Sequence, residues 1–135
     1  MATIKSYTDI EQSKKLAETL PLESADMFYW CGNVNKITIG TGIYKDVKNW
    51  FLDGRTRAAD IPCWSLAALI ETIPQEIFDG EYIINITEGI NNRWIITYDH
   101  FENKSHSFYG LSSVADNLID ACVAIIENLH KHKLL

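Results

Sequence analysis

The sequence lacks the features that mark secreted, membrane-spanning and disulfide-stabilised proteins. No Cys-x-x-Cys pair occurs, and the three cysteines, Cys31, Cys63 and Cys122, are odd in number and widely spaced. That pattern is typical of reduced thiols in a cytoplasmic protein. The first ten residues hold no apolar segment of the signal-peptide type, and no apolar run approaches the roughly 18 residues of a membrane helix. We therefore expect a cytoplasmic protein that is not associated with a membrane.

Motifs of the common enzyme classes are also missing. The turn Gly40–Gly42 is not followed by the Gly-Lys-Ser/Thr of a phosphate-binding loop. No Gly-x-Ser-x-Gly, His-Glu-x-x-His or paired-carboxylate signature occurs elsewhere in the chain. The sequence thus predicts no cofactor, and it favours a protein without enzymatic activity while leaving that question open.

Basic residues are scarce, since 12 Lys and Arg stand against 18 Asp and Glu and the formal net charge is −6. Such a chain is repelled by phosphate backbones, which disfavours nucleic-acid binding. The exception is the segment Ile43–Arg57, where four basic residues outnumber two acidic ones and Trp50 precedes Arg55 and Arg57. Interleaved aromatic and basic residues can anchor a partner. A Trp50 that plugs the core, with the charges solvating a loop, explains the same residues.

What the chain does have is enough apolar material for a core. It contains 135 residues, of which 47% are hydrophobic and 11% aromatic. A chain of this length corresponds to one ordinary domain and buries roughly two-thirds of its unfolded surface without needing a disulfide or a metal. We predict a single domain over residues 1–135.

Hydrophobic periodicity and turn signals predict an α+β fold with the order α-β-β-α-β-β-β-α. Helices are expected over about 9–20, from about Pro62 to Ile70, and over about 17 residues from Ser113, with capping boxes that start at Thr8 and Ser113. A hairpin is expected over 26–39 and a three-stranded antiparallel meander over 82–109. The segment 40–60 is expected to be a long loop. The sheet should pack against the helices.

Cys63 is the strongest candidate for a nucleophile. The predicted helix places it near a helix N-terminus, where unpaired amides and the helix dipole can lower the pKa of a thiol. A catalytic base would be needed as well, and His100 or His106 could serve. A cysteine between Pro62 and Trp64 in an apolar helix is more typical of a small core residue, and we favour that interpretation.

His100 and His106 flank one predicted hairpin turn and could face each other across it. With Asp99 or Glu102 they could hold a metal ion. A solvated turn explains the same residues, and the spacing is not that of a closed Cys or His site. The sequence therefore predicts no metal, with His100 and His106 as the weak candidates.

Three stretches resemble a family of small proteins carried by prophages and other mobile elements of gut bacteria. They are YTDIEQSKKL with SADM after it, in Tyr7–Leu16 and Ser24–Met27; IPCWSLAAL, in Ile61–Leu69; and IDAC with the closing LHK, in Ile119–Cys122 and Leu129–Lys131. The resemblance spans nearly the whole chain and is weakest over Gly40–Asp60. It implies a mobile-element origin, and it brings with it no activity and no catalytic residues.

Three functions follow from these observations. The first is a non-enzymatic accessory protein that binds another protein, with Trp50, Arg55 and Arg57 as the candidate contacts. The second is nucleic-acid binding, because the order α-β-β-β-α of the later elements is that of double-stranded-RNA-binding domains. The scarcity of basic residues after Arg57 opposes it. The third is a small enzyme that uses Cys63 or a site at His100 and His106.

Overall fold

A computed structural model describes residues 5–33, 36–40 and 61–135. The chain divides into two compact units, an N-terminal unit of Ser6–Leu69 and a C-terminal unit of Ile70–Leu135 with Met1–Lys5. The predicted α+β class and the order α-β-β-α-β-β-β-α are confirmed, with two short strands added. The elements are α1 Ile10–Thr19, β1 Met27–Asn33, β2 Lys36–Gly40, β3 Ile61–Cys63, α2 Leu66–Thr72, β4 Glu76–Ile77, β5 Tyr82–Glu88, β6 Trp94–His100, β7 Ser107–Ala115 and α3 Leu118–Lys131.

Helix α1 begins one residue later than the sequence pattern indicates. The capping box is formed by Asp9 and Gln12, whose side chains each accept a hydrogen bond from the other's backbone N–H, at 2.8 and 3.1 Å. Thr8 is fully buried and bonds to other core groups. The helix ends at Thr19 with Leu20 as its C-cap, and Pro21, which cannot continue a helix, follows.

The sheet of the N-terminal unit has the order β2-β1-β3, and both pairings are antiparallel. The predicted hairpin is confirmed as β1 and β2. The predicted helix start at Pro62 is wrong, because Pro62 lies in β3 opposite Phe28. Among the described strands β3 is an edge strand, and an edge is where a residue without an N–H is tolerated.

Helix α2 begins at Leu66 because Ser65 and Asp26 supply its first turn with acceptors. The Ser65 hydroxyl oxygen accepts from the Ala68 N–H at 3.3 Å. The Asp26 carboxylate accepts from the Ser65 N–H at 2.9 Å and from the Ser65 hydroxyl. The carboxylate of Asp26, the residue just before β1, therefore fixes the turn between β3 and α2. No local sequence pattern predicts this contact.

The C-terminal unit contains the antiparallel sheet β4-β5-β6-β7. Strands β5 and β6 pair without interruption from Tyr82 opposite His100 to Glu88 opposite Trp94. The predicted meander is confirmed as β5, β6 and β7. No helix among the residues that the structure describes has both the length and the apolar character needed to cross a membrane.

Helix α3 starts later than predicted, because β7 takes up the residues assigned to its first turn. Ser113 lies in β7 opposite Ile96, and its hydroxyl donates to the Ala121 carbonyl at 2.8 Å. The N-cap is Asn117, whose side chain accepts from the Asp120 N–H at 2.8 Å. One face of α3 is buried through Ile119, Ala121, Cys122, Val123, Ile125, Ile126 and Leu129.

Candidate functional site

Cys63 lies in β3 and is completely buried, not at a helix N-terminus. Its thiol donates to the Thr8 carbonyl at 3.5 Å, and the Thr8 hydroxyl approaches the sulfur at 3.6 Å. Burial raises the pKa of the Cys63 thiol, although hydrogen bonds from Thr8, Ser13 and Tyr29 oppose the shift. A raised pKa favours the unreactive thiol over the thiolate.

The N-terminal unit contains no histidine that could serve Cys63 as a base. No histidine occurs anywhere between Ser6 and Leu69. The polar groups near the sulfur are bonded to one another: the Tyr29 hydroxyl donates to the Thr8 carbonyl at 2.6 Å, and Thr8 and Ser13 share a hydrogen bond of 2.7 Å. These bonds join Cys63, Thr8, Ser13 and Tyr29 in one buried polar cluster.

His100 and His106 lie at the base of the β6–β7 turn, where the His100 N–H donates to the His106 carbonyl at 2.8 Å. The His100 ring nitrogen Nδ1 accepts from the backbone N–H groups of Glu102 and Asn103, at 3.2 and 3.3 Å. Its lone pair is therefore used to shape the turn. Within the described parts of the chain, no three His, Cys, Asp or Glu side chains come close enough to hold a metal ion.

The third set of predicted residues, Trp50, Arg55 and Arg57, lies outside the described residues, as does the rest of 41–60. Their proposed contact with a partner stays a prediction. The structure adds a different candidate, which sequence reasoning missed.

Five rings form a continuous aromatic surface on the C-terminal unit, made of Phe78, Tyr82, His100, Phe101 and Phe108. Tyr82 contacts Phe108 and His100 edge-on, with ring centroids 5.3 and 5.4 Å apart. Phe78 tilts against Phe108 at 5.1 Å, and Phe101 stacks on His100 at 5.2 Å. Phe78 and Phe101 are 45% and 51% exposed. About half of the surface of each of these two residues is therefore left to solvent.

Phe78 is held in an unusual backbone conformation. Its φ is +53°, and Asp79 and Gly80 follow with φ of +55° and +87°. Positive φ is rare for a bulky residue, whereas Asn or Gly adopts it readily. Local backbone preference therefore does not account for a phenylalanine at this position, and its ring contacts supply the reason for its placement.

Three acidic residues are chain neighbours of members of the aromatic surface. Asp79, Glu81 and Glu102 are all exposed, and the Glu81 carboxylate lies 3.8 Å from the His100 Nε2 atom. Lys104 is the basic residue in the adjoining turn. Aromatic faces and carboxylates both attract cationic groups, so the surface suits a partner that presents lysine or arginine.

A groove of about 350 Å³ adjoins the aromatic surface and is lined by Ile83, Asn85, Asp99, Phe101 and Lys104, among others. Asp99 accepts from the Asn85 amide at 3.0 Å and from the Ser107 hydroxyl at 2.7 Å. Burial acts to raise the pKa of Asp99, but these hydrogen bonds, with one from Thr97, outweigh it and lower the pKa. The Asp99 carboxylate is thus ionised and unsuited to act as a general acid.

The aromatic surface escapes sequence reasoning because its members are brought together by strand register. Tyr82 and His100 are neighbours only because β5 and β6 pair in that register. Phe108 joins them across β6 and β7. The alternation of Tyr82, Ile84 and Ile86 indicates which side of the strand is apolar. It does not show that Tyr82 contacts His100 and Phe108.

Comparisons of the chain with models of known protein families, with curated proteins and with solved structures found no match to any of them.

Proposed function

We propose that this protein is a non-enzymatic accessory protein that binds another protein through the aromatic surface. The observation that carries the proposal is the pair of half-exposed residues Phe78 and Phe101. The Phe78 ring contacts Tyr82 and Phe108, and the Phe101 ring stacks on His100. Rigid aromatic residues in contact with one another are typical of the side chains that dominate protein interfaces. The mobile-element origin implied by the sequence resemblance belongs to the same proposal.

The chemistry of the partner follows from the rim of the aromatic surface. Asp79, Glu81 and Glu102 would attract basic side chains of the partner, and Phe78 and Phe101 would supply the apolar contact. The two alternatives have less support. Burial and a raised pKa oppose Cys63 as a nucleophile. The residues 70–135 hold ten acidic and four basic side chains, which opposes nucleic acid.

The test is affinity capture from the native host with matched variants of the tagged protein. Phe101→Ser removes an exposed ring, and Phe78→Asn removes the other while supplying a residue that accepts the positive φ. We expect each variant to weaken capture of the partner about tenfold or more, as loss of an interface hot spot does.

The control is Ile90→Ser, because Ile90 is an exposed apolar residue, at 87%, that follows the end of β5 opposite to Tyr82. It should leave capture unchanged. Equal capture by the wild-type protein, Phe78→Asn and Phe101→Ser would refute the proposal, and so would equal losses in all three variants.

A further inference from the structure

Strand β5 has one edge that the described strands leave partly unpaired, called here the open edge. On one side it pairs with β6 along its whole length, and on the other it pairs with β4 at Tyr82 and Ile83 alone. The Ile84 N–H then donates to the Gln75 carbonyl at 2.9 Å. From Asn85 to Glu88, none of the strands that the structure describes pairs with this outer edge.

The outward-facing backbone groups can be identified from the alternation along an antiparallel strand. Because the Ile84 N–H points outward to Gln75, the N–H and C=O groups of Ile86 and Glu88 point outward as well. Natural edges are usually protected by lysine, proline or a bulge. The stretch from Tyr82 to Glu88 contains neither lysine nor proline, and its pairing with β6 is unbroken.

An apolar cleft of about 200 Å³ lies beside this edge. Its lining is aliphatic apart from Gln75 and consists of Ile70, Ile73, Gln75, Ile83, Ile84 and Ile86. Ile70 and Ile83 are 42% and 47% exposed. The cleft therefore offers apolar surface to a large aliphatic side chain, next to backbone groups that can bond an extended chain.

Charge indicates what kind of chain would occupy the edge. Residues 70–92 contain five acidic side chains and no Lys, Arg or His. Glu71 and Glu88 are exposed. Glu71 follows Ile70 of the cleft in the chain, and Glu88 is the last residue of β5. The Glu76 carboxylate lies beside Gly80 instead. A second copy of this protein would bring the same carboxylates to the contact and be repelled. A segment with lysine or arginine on either side of its aliphatic residue is complementary.

We infer that the open edge of β5 binds an extended segment of the protein partner as an additional antiparallel strand. The segment bonds to the backbone of Ile86 and Glu88, inserts one large aliphatic side chain into the cleft, and places basic residues against Glu71 and Glu88. Strand addition of this kind obtains affinity from main-chain hydrogen bonds and specificity from a side-chain pocket. The inference rests on the proposed function and adds that the partner binds through an extended segment.

The test uses a defined probe, an acetylated and amidated heptapeptide of sequence Lys-Thr-Val-Ile-Val-Thr-Lys, titrated into the isotope-labelled 135-residue protein. We expect the amide NMR signals of Ile86 and Glu88 to shift, and their hydrogen exchange to slow about tenfold at saturation. The same peptide methylated on alternate backbone nitrogens cannot form the ladder and should bind about tenfold or more weakly.

A matched pair of protein variants separates the contribution of the Glu88 backbone N–H to peptide binding from that of the Glu88 charge. Glu88→Pro removes one outward N–H at an edge position where proline is tolerated, and should weaken binding about tenfold. Glu88→Gln keeps the N–H and should retain most of the affinity at high salt, where charge is screened.

Three outcomes would overturn the inference: no change at Ile86 and Glu88, equal binding of the methylated peptide, or slowed exchange that depends on protein concentration without peptide. The last would identify a second copy as the occupant. Loss of capture by Phe101→Ser alongside any of these outcomes would leave the proposed function standing, so the two failures are distinguishable.

Discussion

Thr8 shows what a single buried polar side chain does in this protein. It is fully buried, and its hydroxyl accepts from the Trp64 N–H at 3.2 Å while sharing a hydrogen bond with the Ser13 hydroxyl. Its carbonyl accepts from Tyr29. One residue therefore ties the chain before α1 to β1 and to the end of β3. None of the buried side-chain polar atoms in the described residues is left without a partner.

We expect Thr8→Val to destabilise the protein by about 1–3 kcal/mol, because the buried Trp64 N–H loses its acceptor while the shape of the side chain is kept. Urea unfolding measures the change. Thr8→Ser retains the hydroxyl and should recover most of the loss. A Thr8→Val protein as stable as the wild type would show that the hydroxyl contributes nothing to the core.

At the scale of elements, the buried face of α3 carries a thiol whose ionisation makes the stability of the protein depend on pH. Cys122 lies on that face with no exposed surface, and burial raises its pKa from 9.0 to about 11. Between these values the unfolded chain has released the thiol proton while the folded protein still holds it. The contribution to stability is therefore complete below pH 9 and is lost as the pH rises towards 11.

The expected loss from Cys122 across this window is at most about 3 kcal/mol. The measurement is urea unfolding of the wild-type protein and Cys122→Ala at pH 8, 9, 10 and 11. The difference in stability between the two should shrink with rising pH, whereas contributions from tyrosines cancel because both proteins contain them. A difference that stays constant would contradict the raised pKa.

At the scale of the whole molecule, the net charge of −6 resides in residues 70–135, since residues 1–69 contain equal numbers of acidic and basic side chains. The order of helices and strands in the C-terminal half invites comparison with double-stranded-RNA-binding domains, but such domains place basic residues along the nucleic-acid face. The acidic charge therefore opposes nucleic-acid binding, whereas the element order taken alone would favour it.

We expect the 135-residue protein to give no mobility shift with double-stranded RNA of about 20 base pairs at physiological ionic strength, because phosphate repels the acidic half of the chain. A synthetic peptide rich in lysine serves as the positive control for electrostatic binding. A shift with RNA that weakens as salt rises would contradict this expectation and revive the nucleic-acid hypothesis.

How much the sequence predicts depends on the distance over which each signal acts. Periodicity located both hairpin strands, the meander and the apolar face of α3, because alternation and helical repeats are local consequences of burying one side. The helices are capped by Asp9 and Asn117 instead of the predicted Thr8 and Ser113. A capping motif in the sequence does not show which of its residues belong to the core or to a neighbouring strand.

The sequence by itself determined the α+β class, the element order and the acidic character, because these follow from composition and local periodicity. Only the tertiary structure decided that Pro62 and Cys63 belong to a strand, since that depends on pairing with β1. The aromatic surface and the open edge of β5 are likewise decided by register and by the shortness of β4. Contacts between residues far apart in the chain leave no periodic trace, so they become visible only when the strands are placed beside one another.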